Sequence, residues 1–170
     1  MAELDRFDRT LRASASATAM LTRWVRERSG RPSATLSARR VPIPVPAPDP
    51  ALVRRLGVDG PEEIVCRRVR LMDAGRVLSD AFNFYVPARL TAAMRTMLEQ
   101  TDIPFGTVIA PLSPTRETLL VEHYRSSGEG APPAGRRLPT RLMRHDALLR
   151  DTQGLPLCVV SEVYTRNILS

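Results

Sequence analysis

The chain lacks lysine entirely, so that all 25 of its basic residues are arginine, and aromatic residues make up only 5% of it. Its two cysteines, Cys66 and Cys158, form no Cys-x-x-Cys pair and no cluster with histidine, which predicts neither a zinc site nor a disulfide. No apolar run approaches the roughly 20 residues that a membrane-spanning helix needs. The chain begins with acidic side chains in place of an apolar signal segment, and we expect a cytoplasmic protein without a membrane span.

The common catalytic motifs are missing as well. The sequence contains no GxSxG, no P-loop and no GxGxxG, so it carries none of the usual nucleophile or nucleotide-binding signatures. His123 and His145 are isolated, with no serine or aspartate motif beside them. We expect each histidine to be a surface or hydrogen-bonded structural residue, and we expect no metal site.

The charge balance favours an anionic partner. The basic residues exceed the 18 acidic ones by enough to give a net charge of +7 at pH 7. Nucleic acid, an anionic lipid surface or a small carboxylate would each fit that charge. The arginines of the helix predicted over 16–28 are more typical of a solvated face, because no nucleic-acid-binding motif accompanies them and aromatics are scarce. We therefore expect no nucleic-acid partner.

The length of 170 residues predicts one domain over 1–170. Hydrophobic periodicity predicts helices over 3–12, 16–28, 50–56 and 88–99, and strands over 33–41, 63–72, 76–86, 115–125, 140–150 and 155–166. The prolines of 41–50 predict an edge or polyproline segment, and the Gly/Pro-rich residues 126–139 predict a mobile loop. This order predicts an α+β fold, an antiparallel sheet of about six strands with helices on one side.

Arg67 is the most informative residue of the strand over 63–72. Strand side chains alternate between two faces, which places Arg67 with Val65, Val69 and Leu71. A buried guanidinium needs a partner, either a carboxylate of the protein or a carboxylate ligand. The alternative is that Arg67 lies at the rim of the sheet and its charged end reaches solvent.

Glu162 is the counterpart, in the apolar strand LCVVSEVY. It shares a face with Cys158, Val160 and Tyr164. A carboxylate in such surroundings is either paired or placed for proton transfer and hydrogen bonding. The alternative is a structural Arg67–Glu162 ion pair without a ligand, and neither alternative excludes a site that uses both residues.

Several segments together resemble the chorismate pyruvate-lyases, also called 4-hydroxybenzoate synthases, including their actinobacterial branch. They are MLTRW at 20–24, VCRRVRL at 65–71, VPARL at 86–90 leading into TDIPFG at 101–106, and PLCVVSEVY at 156–164. Their order and spacing cover roughly residues 15–166 of the chain. The resemblance implies a six-stranded antiparallel sheet with helices on one side, closed over a buried ligand by flaps. The loop over 126–139 or the N-terminal helices would be those flaps.

The resemblance also implies site residues. Arg67 matches the arginine that binds the ring carboxylate of the substrate, with Arg68 as the alternative if the register slips by one residue. Glu162 matches the glutamate that hydrogen-bonds the 4-hydroxyl side of the ring, and both Arg67 and Glu162 would be catalytic. The turn Pro104-Phe105-Gly106 matches a segment that contacts the ligand through its backbone, with Phe105 where leucine is common. Met20 matches a methionine that contacts the ligand.

The resemblance implies a monomeric enzyme that needs no cofactor and converts chorismate to 4-hydroxybenzoate and pyruvate. One alternative is a non-catalytic module of the same fold that binds a small aromatic carboxylate. The fold also serves as the effector-sensing domain of some bacterial transcription regulators. Those carry a winged helix-turn-helix ahead of the sensor, for which we expect the residues before the strand at 33–41 to be too few. A third alternative is a lyase that makes a different benzoate or uses an amino analogue of chorismate.

Overall fold

The computed structural model describes residues 2–42, 46–124 and 141–170 of the chain. Its centre is a six-stranded antiparallel sheet with the strand order β1-β2-β3-β6-β5-β4. The strands are β1 Ser37–Arg40, β2 Val65–Asp73, β3 Arg76–Tyr85, β4 Thr115–His123, β5 Arg141–Arg150 and β6 Pro156–Thr165. The helices are α1 Ala2–Arg12, α2 Ala17–Ser29, α3 Pro50–Leu56, α4 Ala92–Gln100 and α5 Phe105–Val108. The predicted α+β class and antiparallel sheet are confirmed.

Local sequence signals explain where the helices begin and end. Asp49 caps α3 by accepting a hydrogen bond from the Leu52 backbone N–H at 2.7 Å, and Gly57 ends the helix in the left-handed conformation. The helix predicted over 88–99 begins later, at Ala92, because Thr91 is its N-cap. Residues 87–89 form a separate 3₁₀ turn instead.

Four of the five helices cover one face of the sheet, which we call the helix-covered face. On it, Phe7 of α1 and Trp24 of α2 pack against Tyr164 of β6. Further along the same face, Phe105 of α5 packs against Tyr85 of β3. These two clusters form the main core.

The fifth helix departs from the prediction that all helices lie on one side. Leu56 of α3 packs against Leu148 and Val159, whose side chains point to the opposite face of the sheet. The cap at Asp49 and the proline that follows it determine that α3 forms, but neither determines which face it covers.

Some predictions concern parts of the chain outside the described residues. The loop predicted over 126–139 lies there, as do residues 43–45 of the proline-rich segment. Within the ranges given above, no helix is both long enough and apolar enough to cross a membrane.

Candidate functional site

Arg67 lies on the helix-covered face of β2, and its residue is only 5% exposed. Its Nη2 donates hydrogen bonds to the backbone carbonyls of Thr101 at 3.2 Å and Ile103 at 3.4 Å. Nε and Nη1 are buried without a hydrogen-bond partner among the described residues. Burial lowers the pKa of Arg67, and the nearby positive charge of Arg40 lowers it further. Arg67 is therefore a buried cation with free donors, not a residue at the rim that reaches solvent.

Arg68, the alternative anchor, points to the other face of the sheet. Its guanidinium donates to both carboxylate oxygens of Asp80, at 2.8 Å and 2.7 Å, and lies 4.9 Å from the centre of the Phe82 ring. The hydrogen bond to Asp80 raises the pKa of Arg68. Because the donors of Arg68 are occupied by Asp80, Arg67 is the better placed of the two arginines to bind an anionic ligand on the helix-covered face.

Glu162 lies on the same face, on β6, and is 4% exposed. The Ser79 hydroxyl donates to its Oε1, and the Tyr164 hydroxyl donates to its Oε2 at 2.7 Å. Burial raises the pKa of Glu162, while these two hydrogen bonds and the positive charge of Arg116 act in the opposite direction. In the part of the chain that the structure describes, Glu162 forms no ion pair with Arg67. The alternative of a structural Arg67–Glu162 bridge is therefore wrong.

The strand register gives the relation between the two residues. Arg67 lies opposite Asn83 of β3, which lies opposite Val160 of β6, two residues before Glu162. With strands about 4.8 Å apart and about 3.4 Å per residue, the Cα atoms of Arg67 and Glu162 are about 12 Å apart. The two side chains therefore point to the same face of the sheet without contacting each other.

Two spaces lie beside these residues. The first, the Glu162 cavity, is a partly open space of about 50 Å³ whose walls include Glu162, Phe105 and Gly106. The second, the Arg67 cleft, is an open space of about 320 Å³ whose walls include Arg67 and Tyr85. The rings of Tyr85 and Phe105 lie 5.4 Å apart, centre to centre, so this pair forms part of the wall between the two spaces. The structure thus brings three of the predicted site residues, Glu162, Phe105 and Gly106, together around one cavity. Arg67 lies in the neighbouring cleft, on the other side of the Tyr85–Phe105 pair.

Gly106 allows α5 to pack closely against the start of α2. A Cβ atom at this position would lie 2.6 Å from Thr18 Oγ1 and 3.2 Å from Thr18 Cβ, so the Thr18 side chain would have to turn and shift slightly. The start of α2 therefore lies directly over the Glu162 cavity. Met20 is buried in the core beside Trp24 and lines neither space, so its contact with a ligand stays a prediction.

Two residues of the Glu162 cavity were not identified as site residues from the sequence, Arg116 of β4 and His145 of β5. His145 lies opposite Glu162 in the sheet register. His145 is buried rather than on the surface, and its Nε2 is 2.8 Å from Asp8 Oδ1. The geometry of this contact is not that of a hydrogen bond, and Nδ1 also has no partner among the described residues. The sequence predicts that 140–150 and 155–166 form a hairpin that turns at 151–154, and the structure confirms it, so strand alternation could have placed His145 beside Glu162. Nothing local pairs β4 with β5, and Arg116 could not be placed in this way.

His145 makes a pH-dependent contribution to stability. Burial lowers its pKa from 6.5 to about 4, against the opposing attraction of Asp8. The unfolded chain therefore takes up this proton at a higher pH than the folded chain, and the free energy of unfolding falls as the pH falls from 6.5 towards 4. The full loss is about 3 kcal/mol, because each pKa unit corresponds to about 1.4 kcal/mol. Urea unfolding at several pH values measures it.

The matched variant for this measurement is His145→Asn. We expect it to be less stable than the wild type at pH 7.5 and to lose less stability between pH 6.5 and 4. Other groups titrate too: the pKa of Asp8 is lowered, which removes stability at lower pH, and the pKa of Glu162 is raised, which removes stability as the pH rises. The difference between the two proteins cancels the effect of Glu162 to first order, whereas the pKa of Asp8 is lowered in part by His145 and therefore rises in the variant. If the free energy of unfolding depends on pH in the same way in the wild type and in His145→Asn, the assignment to His145 is wrong.

No cluster of three or more histidine, cysteine, aspartate or glutamate side chains within residues 2–42, 46–124 and 141–170 is arranged to hold a metal ion. The site as described offers one buried guanidinium, one buried carboxyl group and aromatic and aliphatic walls. Such an arrangement can bind a small aromatic carboxylate and hold a proton near it.

Comparison with known proteins gives one relative in sequence. The uncharacterized protein y4mC of Sinorhizobium fredii (strain NBRC 101917 / NGR234) is 38% identical over 181 aligned positions, which cover 99% of this chain and 76% of y4mC. No protein-family model matches the chain.

Solved structures are similar in fold. The effector domain of PhnF from Mycobacterium smegmatis superposes with a TM-score of 0.55 at 15% identity, covering 90% of each chain. The ligand-binding domain of a putative GntR-family transcriptional regulator from Bordetella bronchiseptica gives a TM-score of 0.50 at 17% identity, over 76% of this chain and 82% of that one. The chain spans 66% of a longer PhnF structure and 58% of YydK from Bacillus subtilis, with TM-scores of 0.57 and 0.48 at 14% and 13% identity. The fold is thus the chorismate lyase-like fold that such ligand-binding domains share.

Proposed function

The chain belongs to the family of the uncharacterized Sinorhizobium fredii protein y4mC, and we propose that it is a chorismate pyruvate-lyase that works without a cofactor. The observation that carries this proposal is the buried guanidinium of Arg67, whose Nε and Nη1 have no partner among the described residues and which shares a sheet face with Glu162. An unpaired buried cation is costly, and a carboxylate ligand would remove that cost. The ring carboxylate of chorismate is such a ligand.

The reaction suits these two groups. In chorismate the proton on C4 is removed, the bond between C3 and the ether oxygen breaks, and the ring becomes aromatic as 4-hydroxybenzoate. The leaving group is the enolate of pyruvate, which takes up a proton to give pyruvate. Because aromatisation drives the elimination, the protein needs only to orient the substrate, exclude water and assist the proton transfer. Arg67 would hold the ring carboxylate through two hydrogen bonds, and Glu162 would anchor the 4-hydroxyl group and assist proton removal.

Substrate binding requires the two spaces to join. Ligand pockets usually measure about 300–1,000 Å³, far more than the Glu162 cavity of about 50 Å³. The Phe105 ring lies between the Glu162 cavity and the Arg67 cleft, and its displacement from Tyr85 would connect them. The start of α2 covers the Glu162 cavity and is suited to act as the flap that excludes water.

The direct test is incubation of the purified protein with chorismate in the absence of metal and nucleotide. Pyruvate release and the aromatic product are followed by chromatography against standards of the hydroxybenzoate isomers. We expect pyruvate and 4-hydroxybenzoate in equal amounts, with kcat/KM falling as salt screens the positive charge. Formation of another hydroxybenzoate isomer would mean that the protein eliminates pyruvate but at a different position of the ring. If the protein turns over the amino analogue but not chorismate itself, the amino analogue is the substrate.

The second candidate function is non-catalytic binding of an aromatic carboxylate. The observation that favours it is that Glu162 already accepts hydrogen bonds from Ser79 and Tyr164, which hold it in a structural role. The likeness in fold to a ligand-binding domain from Bordetella bronchiseptica is in keeping with it. Binding of 4-hydroxybenzoate without any turnover of chorismate would decide for this candidate.

A further inference from the structure

We propose that Arg116 forms a second anion-binding subsite in the Glu162 cavity, which takes the carboxylate of the enolpyruvyl side chain of the substrate. This inference rests on the proposed function and adds a residue to the site. Each of the two carboxylates of the substrate would then have its own arginine, Arg67 on β2 for one and Arg116 on β4 for the other.

The register places Arg116 on the correct face. Arg116 lies opposite Leu149 of β5, which lies opposite Cys158 of β6, and both of these side chains belong to the core under α4 and α5. Arg116 is therefore two strands from β6 on one side, while Arg67 on β2 is two strands from β6 on the other side. Glu162, on β6, lies between the two arginines.

The guanidinium of Arg116 has donors to offer. Its Nη1 donates to Thr118 Oγ1 at 3.0 Å, a neutral hydroxyl. In residues 2–42, 46–124 and 141–170 no aspartate or glutamate lies within ion-pair distance of it. Its charge acts on the cavity, because it lowers the pKa values of Glu162 and His145. Arg116 is half-buried, and a cation that lines a cavity and lacks a carboxylate partner among these residues is suited to bind an anion there.

The two arginines lie on either side of Glu162, so that a dianion would have one arginine for each carboxylate. They lie on β2 and β4, four strand spacings of about 4.8 Å apart, so that their strands are about 19 Å apart at the backbone. Arg116 turns along its own strand towards Thr118 and lines the Glu162 cavity, whereas Arg67 lies beyond the Tyr85–Phe105 pair, so one dianion would reach both arginines once the two spaces are joined. Chorismate carries a ring carboxylate and an ether-linked carboxylate, whereas 4-hydroxybenzoate carries only the first. Arg116 would therefore bind the substrate and the leaving pyruvate and not the aromatic product.

The test compares two stable ligands by calorimetry. One is 4-hydroxybenzoate, and the other is 3-(carboxymethoxy)-4-hydroxybenzoate, which adds an ether-linked carboxylate at the position of the enolpyruvyl group. We expect Arg116→Ala to weaken binding of the dicarboxylate by about 10- to 100-fold, the range of a charge-assisted hydrogen bond. Binding of 4-hydroxybenzoate should change by less than about threefold. Arg116→Lys, which keeps the charge, should give an intermediate loss.

The control is Arg150→Ala, which removes one positive charge from the same β4–β5 hairpin. Arg150 lies 3.7 Å from Glu117 and does not line the Glu162 cavity, so both dissociation constants should stay within twofold of the wild type. Equal weakening of both ligands by Arg116→Ala, or no weakening of either, would overturn the subsite. A dicarboxylate affinity that depends on Arg116, in a protein that does not turn over chorismate, would support the subsite and refute the lyase. If the folded wild type does not bind the dicarboxylate, the subsite is wrong, and turnover of chorismate then decides separately on the lyase.

Discussion

Replacing Arg67 with alanine is expected to abolish measurable pyruvate release from chorismate and to weaken 4-hydroxybenzoate binding by at least about 100-fold. The loss of two charge-assisted hydrogen bonds to one carboxylate corresponds to about 3 kcal/mol or more. The ligand carboxylate would then be buried without a partner, which adds to the loss. The expected effect is on both kcat and affinity, because the same contact orients the ring for elimination. Steady-state kinetics and calorimetry measure the two quantities.

Two further variants test whether the effect belongs to the anion contact. Arg67→Lys keeps a positive charge but loses the planar pair of donors, and we expect it to recover part of the affinity and little of the activity. Arg70→Ala removes an exposed arginine three residues further along the same strand, which lies 3.7 Å from Asp80, and it should be nearly silent. An inactive Arg70→Ala protein, or an active Arg67→Ala protein, would show that the anchor has been placed on the wrong residue.

The folded state is the condition for interpreting the Arg67→Ala result. Arg67 also donates to the carbonyls of Thr101 and Ile103, which lie between α4 and α5. Alanine removes those two hydrogen bonds, but it also removes a buried cation that lacks a full set of partners, and the two changes oppose each other. We therefore expect a melting temperature close to that of the wild type. Circular dichroism on the same samples checks it.

Much of this architecture could be predicted from local sequence. The alternation of apolar side chains in 63–72 and 155–166 correctly placed Arg67 and Glu162 on inward-facing positions of their strands. The caps at Asp49 and Gly57 predicted α3 to the residue. These predictions succeed because strand alternation and helix capping depend only on neighbouring residues.

The surroundings of those residues could not be predicted in the same way. One of the two hydroxyls that donate to Glu162 belongs to Ser79, which is 83 positions away in the chain, and it reaches Glu162 only because β3 pairs with β6. Likewise, Arg116 joins the site through the pairing of β4 with β5, whose strands are separated by a long connection, whereas His145 lies on the β5–β6 hairpin, which a local turn predicts. Pairing between distant strands depends on the whole fold, and no pattern within one strand specifies it.

Exchange of Glu162 for glutamine is the second variant with a large expected effect. Glutamine keeps the shape of the side chain and cannot take up the C4 proton, so we expect kcat to fall by about 100- to 1,000-fold, within the usual range for the loss of a general base. Binding of 4-hydroxybenzoate should weaken by no more than about tenfold, because the exchange alters one hydrogen bond of about 1 kcal/mol. Kinetics with chorismate and calorimetry with the product separate the two effects.

The glutamine variant also tests the two hydroxyl groups around Glu162. Ser79 and Tyr164 each donate to one carboxylate oxygen, whereas glutamine offers one oxygen and one NH₂ group, so one of the hydroxyls must turn and accept instead. We expect this to cost about 1 kcal/mol of stability without loss of the fold. Ser161→Ala, at the neighbouring position on the opposite face of β6, is the control and should leave kcat unchanged. If Glu162→Gln keeps kcat within threefold of the wild type, Glu162 does not transfer the proton, and Arg67 together with the exclusion of water must account for the elimination.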